Sequence, residues 1–185
     1  MTTVPLGPDE LGTHLRQHFP LVNGHPDVAG LLRDPPVLAA LGPALAAPFR
    51  GRDVTCVMAP EARGPILAVL VAVELGCGVV LARKEGRNHP GADVRSSAGP
   101  GWRGEVEVFQ ARTFDLAPGD RVLLVDDWVT TGSSLTALRG IVEGAGAVCL
   151  GASVVVDKRD GESTVPEVHA LVAFDEIGGP EQGRR

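Results

Sequence analysis

Apolar positions along this chain fall into blocks of two kinds. One kind repeats every three to four residues and reads as helix; the other runs unbroken or alternates and reads as strand. Leu11, Leu15 and Phe19 share one helical face, and Pro20 ends that segment. Leu21 to Pro26 is turn-like, and Asp34-Pro35-Pro36 opens a second helix running to about Ala47, with Asp34 as candidate N-cap. Val54 to Ala59 is a short buried strand, followed by the polar turn Glu61-Ala62-Arg63-Gly64 and a helix from Ile66 to Leu75 that Gly76 closes. Strands follow at Val79–Ala82, Glu105–Phe109 and Val122–Val125, then a helix over Leu135–Val142 and strands at Ala147–Val156 and Val168–Phe174. This alternation predicts an α/β fold with a mostly parallel central sheet flanked by helices. The predicted organisation is an N-terminal hood of helices and loops over 1–52, an α/β core over 53–177 and a flexible tail over 178–185.

The segment 83–104 follows neither period. It carries Arg83, Lys84, Arg87, Arg95 and Arg103 among several glycines and prolines, and it reads as a basic mobile loop that closes over an anion.

The stretch from Val122 to Ser134 carries the clearest chemistry. An apolar strand ends in Asp126 and Asp127, and a turn containing Thr130, Thr131, Gly132, Ser133 and Ser134 leads into a helix. Unpaired backbone N–H groups at a helix start carry partial positive charge and suit a phosphate. The carboxylates cannot favour that phosphate, so they face sugar hydroxyls or a hydrated cation. One turn thus grips a phosphorylated ribose. In open parallel sheets ligands bind beyond the carboxyl ends of the strands. Glu61–Gly64, Arg83–Lys84, Asp126–Ser134 and Asp157–Lys158 all follow strands and are expected on that one edge.

Composition narrows the class. The chain has 185 residues and a net charge of −6, which argues against a bulk electrostatic grip on nucleic acid. Its basic residues are 15 arginines and only two lysines, Lys84 and Lys158. Cys56, Cys77 and Cys149 form no CxxC pair and read as buried free thiols. His14, His18 and His25 read as surface histidines. No secretory signal or membrane-length apolar run is visible, so a cytoplasmic location is expected.

With these residues in hand, the chain resembles the type I phosphoribosyltransferases over roughly Leu31 to Phe174. Val122–Ser134 resembles their phosphoribosyl-diphosphate (PRPP) motif, and Glu61-Ala62-Arg63-Gly64 is similar to the diphosphate loop of adenine and xanthine enzymes. Leu116–Arg121 resembles the turn before the motif in adenine enzymes, whereas Arg83–His89 also resembles the mobile loop of orotate enzymes. The adenine enzymes' Tyr and Glu loop pattern is absent, since the chain has no tyrosine. The resemblance implies transfer of the 5-phosphoribosyl group from PRPP to a nucleobase, purine favoured, with release of diphosphate. The alternatives are orotate or another base as acceptor, or a PRPP-binding regulator without turnover. It further implies that Thr130, Thr131, Gly132, Ser133 and Ser134 hold the 5′-phosphate. Asp126 and Asp127 would bind ribose hydroxyls and stabilise positive charge, touching Mg²⁺ through water at most. Glu61, Ala62, Arg63, Gly64, Arg83 and Lys84 would face the diphosphate, with a strained or cis peptide at the first turn. Lys84 and Arg87 would neutralise the leaving group, and a homodimer is expected.

Overall fold

A computed structural model of the chain describes residues 6–23, 25–99, 104–159 and 167–178. Several sequence expectations lie outside those residues: the start of the N-terminal lead-in, Arg103 of the basic loop, the far part of the charged turn after Asp157, and tail positions 179–185. Two helices open the chain, α1 (Pro8–His18) and the short α2 (Val28–Leu31), with a minimal antiparallel pairing of β1 (Leu21–Val22) and β2 (His25–Pro26) between them. Helix α3 (Pro35–Ala46) follows, with Asp34 at its N-cap position but without a side-chain cap hydrogen bond. The core then runs β3 (Cys56–Pro60), α4 (Gly64–Leu75), β4 (Gly78–Lys84), β5 (Val94–Ser97), β6 (Val108–Ala111), β7 (Arg121–Val129), α5 (Ser133–Gly144), β8 (Val148–Asp157) and β9 (Val168–Ala173).

Seven strands form one sheet in the order β5-β6-β4-β3-β7-β8-β9. The pairings from β4 through β9 are parallel, and β6 joins β4 and β5 antiparallel. The central strands are apolar on both faces because both faces are covered. Alternate residues separate two cores: Val57, Ala59, Leu123 and Val125 pack under α3 and α4, while Cys56, Met58, Val122 and Leu124 pack under α5. Leu11, Leu15, Leu41, Leu45 and Phe49 belong to the first of these cores, so the N-terminal helices share buried surface with the sheet.

Three expectations need correction. The basic segment after β4 is not structureless: Val94–Ser97 pairs with β6 as the edge strand, and Arg83 and Lys84 are the last residues of β4. Only every second residue of β5 is half-buried, and its charges and serines hide that weak alternation in the sequence. The strand expected over Glu105–Phe109 begins at Val108, leaving Glu105 and Glu107 in the approach to it. Of the cysteines, Cys56 is buried, and burial pushes its thiol up to about 11. Cys77 and Cys149 are only half-buried; burial raises both thiols, and all three cysteines are free. Among the described residues no helix is long and apolar enough to cross a membrane.

Candidate functional site

The strand order reverses direction between β3 and β7. From β3 the chain proceeds outward to β4, and from β7 it proceeds the other way through β8 to β9. The crevice beyond the carboxyl ends at such a reversal is where open α/β sheets bind ligands. A cleft of about 1060 Å³ lies there. Its walls come from all four turns expected to converge: Glu61, Ala62 and Arg63 after β3, Lys84 at the end of β4, Asp126, Asp127, Thr130, Thr131, Ser133 and Ser134 around the end of β7, and Lys158 after β8.

The hydroxyl-rich turn Thr130–Ser134 leads from β7 into α5, as its sequence predicts. Gly132 occupies the left-handed region at φ 75° as the N-cap of α5, a conformation that favours glycine. The Thr131 hydroxyl lies 3.0 Å from the Ser133 hydroxyl and accepts the Ser133 N–H at 3.3 Å. The Thr136 N–H and hydroxyl both donate to the Gly132 carbonyl at 2.9 Å, locking the first helical turn beneath the loop. Hydroxyls and helix-start amides therefore gather at one point.

The two aspartates are both buried, at 9% and 7% exposure, yet both reach the cleft. Asp126 accepts the Asp127 N–H at 2.8 Å, and Asp127 accepts the Trp128 N–H at 3.0 Å, so each carboxylate is held by the next residue's backbone. Burial, reinforced by the neighbouring Asp127, raises the Asp126 carboxyl well above its ordinary value. Arg63 crosses the crevice from the other half of the sheet and donates its Nε to Asp127. The peptide bond between Glu61 and Ala62 is cis.

The remaining candidates divide. Gly64 is buried at the start of α4, and neither it nor Gly132 lines the cleft. Arg83 donates to Glu61 at 2.9 Å and to the Asn88 carbonyl at 2.6 Å, and Arg87 lies 3.7 Å from Glu61. Both arginines thus gather on Glu61 beside the cleft rather than among its lining residues. Lys84 is paired with Glu107. Several lining residues had not been singled out from the sequence as site residues: His25 and Pro26 of β2, Glu107 just before β6, Phe109 within it, Trp128, Arg159 and Phe174. The sequence signal for Trp128 was its place inside the acidic motif. For Phe174 it was only a position at the end of a strand, and nothing local marked His25 as other than a surface histidine. Among the described residues no group of three or more His, Cys, Asp or Glu could hold a metal ion.

The comparisons agree with this geometry. Residues 31–177 match the model of the phosphoribosyl transferase domain. The chain is 37% identical over 152 residues to an adenine phosphoribosyltransferase of Nitrosococcus oceani, covering 80% of this chain and 87% of that protein. It is 33% identical over 178 residues to an orotate phosphoribosyltransferase of Thermus thermophilus, covering 92% and 87%. The solved adenine phosphoribosyltransferase of Rhodothermus marinus superposes with a TM-score of 0.75 at 26% identity, over 89% of this chain and 98% of that one. A cleft at the sheet's reversal, with a hydroxyl-rich helix start facing paired carboxylates, is thus joined to a match over most of the sequence: the chain belongs to the phosphoribosyl transferase domain family.

Proposed function

We propose that the protein transfers the 5-phosphoribosyl group from PRPP to a purine and releases diphosphate. The carrying observation is the convergence in one cleft of the Thr130–Ser134 turn, Asp126 and Asp127, and the cations Arg63 and Lys84. These are the groups needed for an anion at one end, sugar hydroxyls in the middle and a second anion beyond. The 5′-phosphate takes the hydroxyls and amides at the start of α5. The ribose hydroxyls donate to the Asp127 carboxylate and to the carboxyl oxygens of Asp126. As the glycosidic bond breaks, positive charge grows on the sugar, and Asp127 stabilises it electrostatically from a buried, pre-set position.

Every cation named on the diphosphate side is already matched to a carboxylate: Arg63 to Asp127, Lys84 to Glu107, Arg83 and Arg87 to Glu61. Diphosphate binding exchanges these partners, drawing Arg63 and Lys84 onto the leaving group and freeing Asp127 for the ribose. Glu61 then keeps Arg83 and Arg87 at the rim, where they add positive charge without filling the site.

The donor set also bears on magnesium. Backbone N–H groups and Arg63 already occupy oxygens of Asp126 and Asp127, an arrangement that suits contact with Mg²⁺ through water. When bound, Mg²⁺ neutralises charge on the diphosphate. The exposed apolar side chains Ile66, Val69 and Val73 recur along one face of α4, opposite the buried Leu67, Ala68, Val71 and Ala72, which supports a homodimer through that helix.

Incubation with Mg²⁺, PRPP and a panel of adenine, hypoxanthine, guanine, xanthine, orotate and uracil, with diphosphate release as readout, tests the proposal. Release with at least one purine is expected. PRPP binding without release from any base would replace the reading with a non-catalytic PRPP-binding regulator. Release with orotate alone would favour the second reading, which the match to the Thermus thermophilus protein supports.

A further inference from the structure

We infer that Gln110 is a positioning residue for the diphosphate side of the cleft: its buried amide clamps the turn Lys84–Asn88, so that the Arg87 guanidinium is held at the rim before the anion arrives. The inference rests on the transferase reading above for the identity of that anion. It begins from a side chain that the apolar pattern of β6 does not explain. Phe109 and Ala111 turn into the core beneath α5, and Gln110 between them takes the opposite face. It is nevertheless buried, at 7% exposure, and an amide withdrawn from water is costly unless its groups find partners.

The partners are main-chain carbonyls of the basic turn. Gln110 Nε2 donates to the Arg87 carbonyl at 2.8 Å and approaches the Lys84 carbonyl at 3.5 Å. Both of these groups only accept, so the NH₂ end of the amide is the end that faces the turn. Across the β4–β6 pairing from Gln110 stands Arg83, whose guanidinium donates to the next carbonyl, that of Asn88, at 2.6 Å. Two side chains from paired positions thus hold consecutive carbonyls. The turn is also closed by its own backbone: the Arg87 N–H donates to the Lys84 carbonyl at 3.1 Å, and Gly86 takes φ 81°, which favours glycine. Arg83 extends the clamp to the turn after β3, because its Nε donates to Glu61 at 2.9 Å. Further along, Asp93 accepts the Thr113 N–H at 2.7 Å, which ties down the chain beyond the turn.

What the clamp fixes is Arg87. The backbone of Lys84 is already placed by its pairing with Phe109 in the sheet. Arg87 lies past the end of β4, with a side chain 70% exposed and 3.7 Å from Glu61, a contact too long to fix it. A cation on a loose turn loses freedom when an anion binds, and that loss weakens binding; on a clamped turn the loss is already made in folding. The turn then acts as a fixed wall of the anion site.

The test titrates magnesium diphosphate calorimetrically into wild type, Gln110→Met, Arg87→Ala and the double variant. Ribose 5-phosphate, which the Thr130–Ser134 turn would hold, is the control. Methionine keeps the length of the side chain and removes the donor. Gln110→Met is expected to weaken diphosphate by about 3–10-fold, the contribution of one net hydrogen bond, and to leave ribose 5-phosphate within about twofold. In the Arg87→Ala background the same substitution should change diphosphate affinity by less than about twofold, because no guanidinium is left to place. In steady state the KM for PRPP should rise by about 3–10-fold while kcat stays within about threefold. A wild type that binds no diphosphate, an affinity unchanged in Gln110→Met, an equal loss of both ligands, or a full loss persisting in the Arg87→Ala background overturns the inference. Gln110→Asn, whose amide stops one methylene short of the carbonyls, carries the same expectations and decides the question if Gln110→Met does not fold. A wild type that turns over no base sinks the transferase reading, and the diphosphate titrations still decide the clamp.

Discussion

Asp127→Asn separates catalysis from folding. The substitution keeps the side chain's shape, and its remaining oxygen still accepts the Trp128 N–H, which lies 3.0 Å from Asp127 Oδ1. It removes the ion pair with Arg63, but that guanidinium is 53% exposed, and such pairs contribute only about 0–1 kcal/mol. It also removes a like charge from beside Asp126, which offsets part of that loss. The midpoint of thermal unfolding is therefore expected to move by no more than about 4 °C for a chain of this size. Turnover responds differently. A carboxylate about 4–5 Å from a developing unit positive charge, at an effective dielectric of about 20, stabilises it by about 3–4 kcal/mol. Loss of that term lowers kcat by about 10²–10³-fold. Steady-state diphosphate release and a thermal melt on the same preparation measure both quantities. A kcat within about threefold of wild type would refute the electrostatic role. A fall in melting temperature beyond about 10 °C would show instead that the carboxylate holds the fold.

Other consequences follow from the same geometry. The Asp126 carboxyl keeps its proton to higher pH in the fold than in the unfolded chain, so the stability tied to that proton is present at low pH. It is lost as pH rises from the unfolded carboxylate range through the raised folded value. Asp126→Asn removes this loss, and its melting temperature should gain on wild type as pH rises above the ordinary carboxylate range; a gap that does not widen with pH contradicts the assignment. A Cβ at Gly42 would meet the Leu70 carbonyl oxygen at 2.8 Å, where α3 packs on α4. Gly42→Ala should therefore destabilise by about 1–3 kcal/mol, read as a lower denaturant midpoint in one transition if the N-terminal helices fold with the sheet. Val69→Glu places a charge on the exposed face of α4 and should convert a dimer to monomer in light scattering coupled to size exclusion, with little change in a dilute melt. A wild type that is already monomeric would reject that interface.

Much of the site was legible because its parts are local. A strand ending in carboxylates, a hydroxyl-rich turn and a helix start are contiguous in Val122–Ser134, and periodicity places each on its element. The sheet-edge position of the Glu61, Lys84 and Lys158 turns also followed from their places after strands. Edge strand β5 was not legible, because four residues with only two half-buried carry little hydrophobic signal.

By itself the sequence determined the α/β alternation, the apolar strands and the turn chemistry, because backbone preference and burial period are properties of neighbouring residues. Only the tertiary structure decided which charges meet. Arg63 faces Asp127 because β3 and β7 are adjacent in the sheet, although 64 positions separate the two residues. Arg83 and Arg87 both turn to Glu61, burial lifts Asp126 toward its neutral form, and Lys158 is left over an aromatic ring without a carboxylate. These outcomes depend on strand order and on how much water each group loses, and both are set by contacts between residues far apart in the chain.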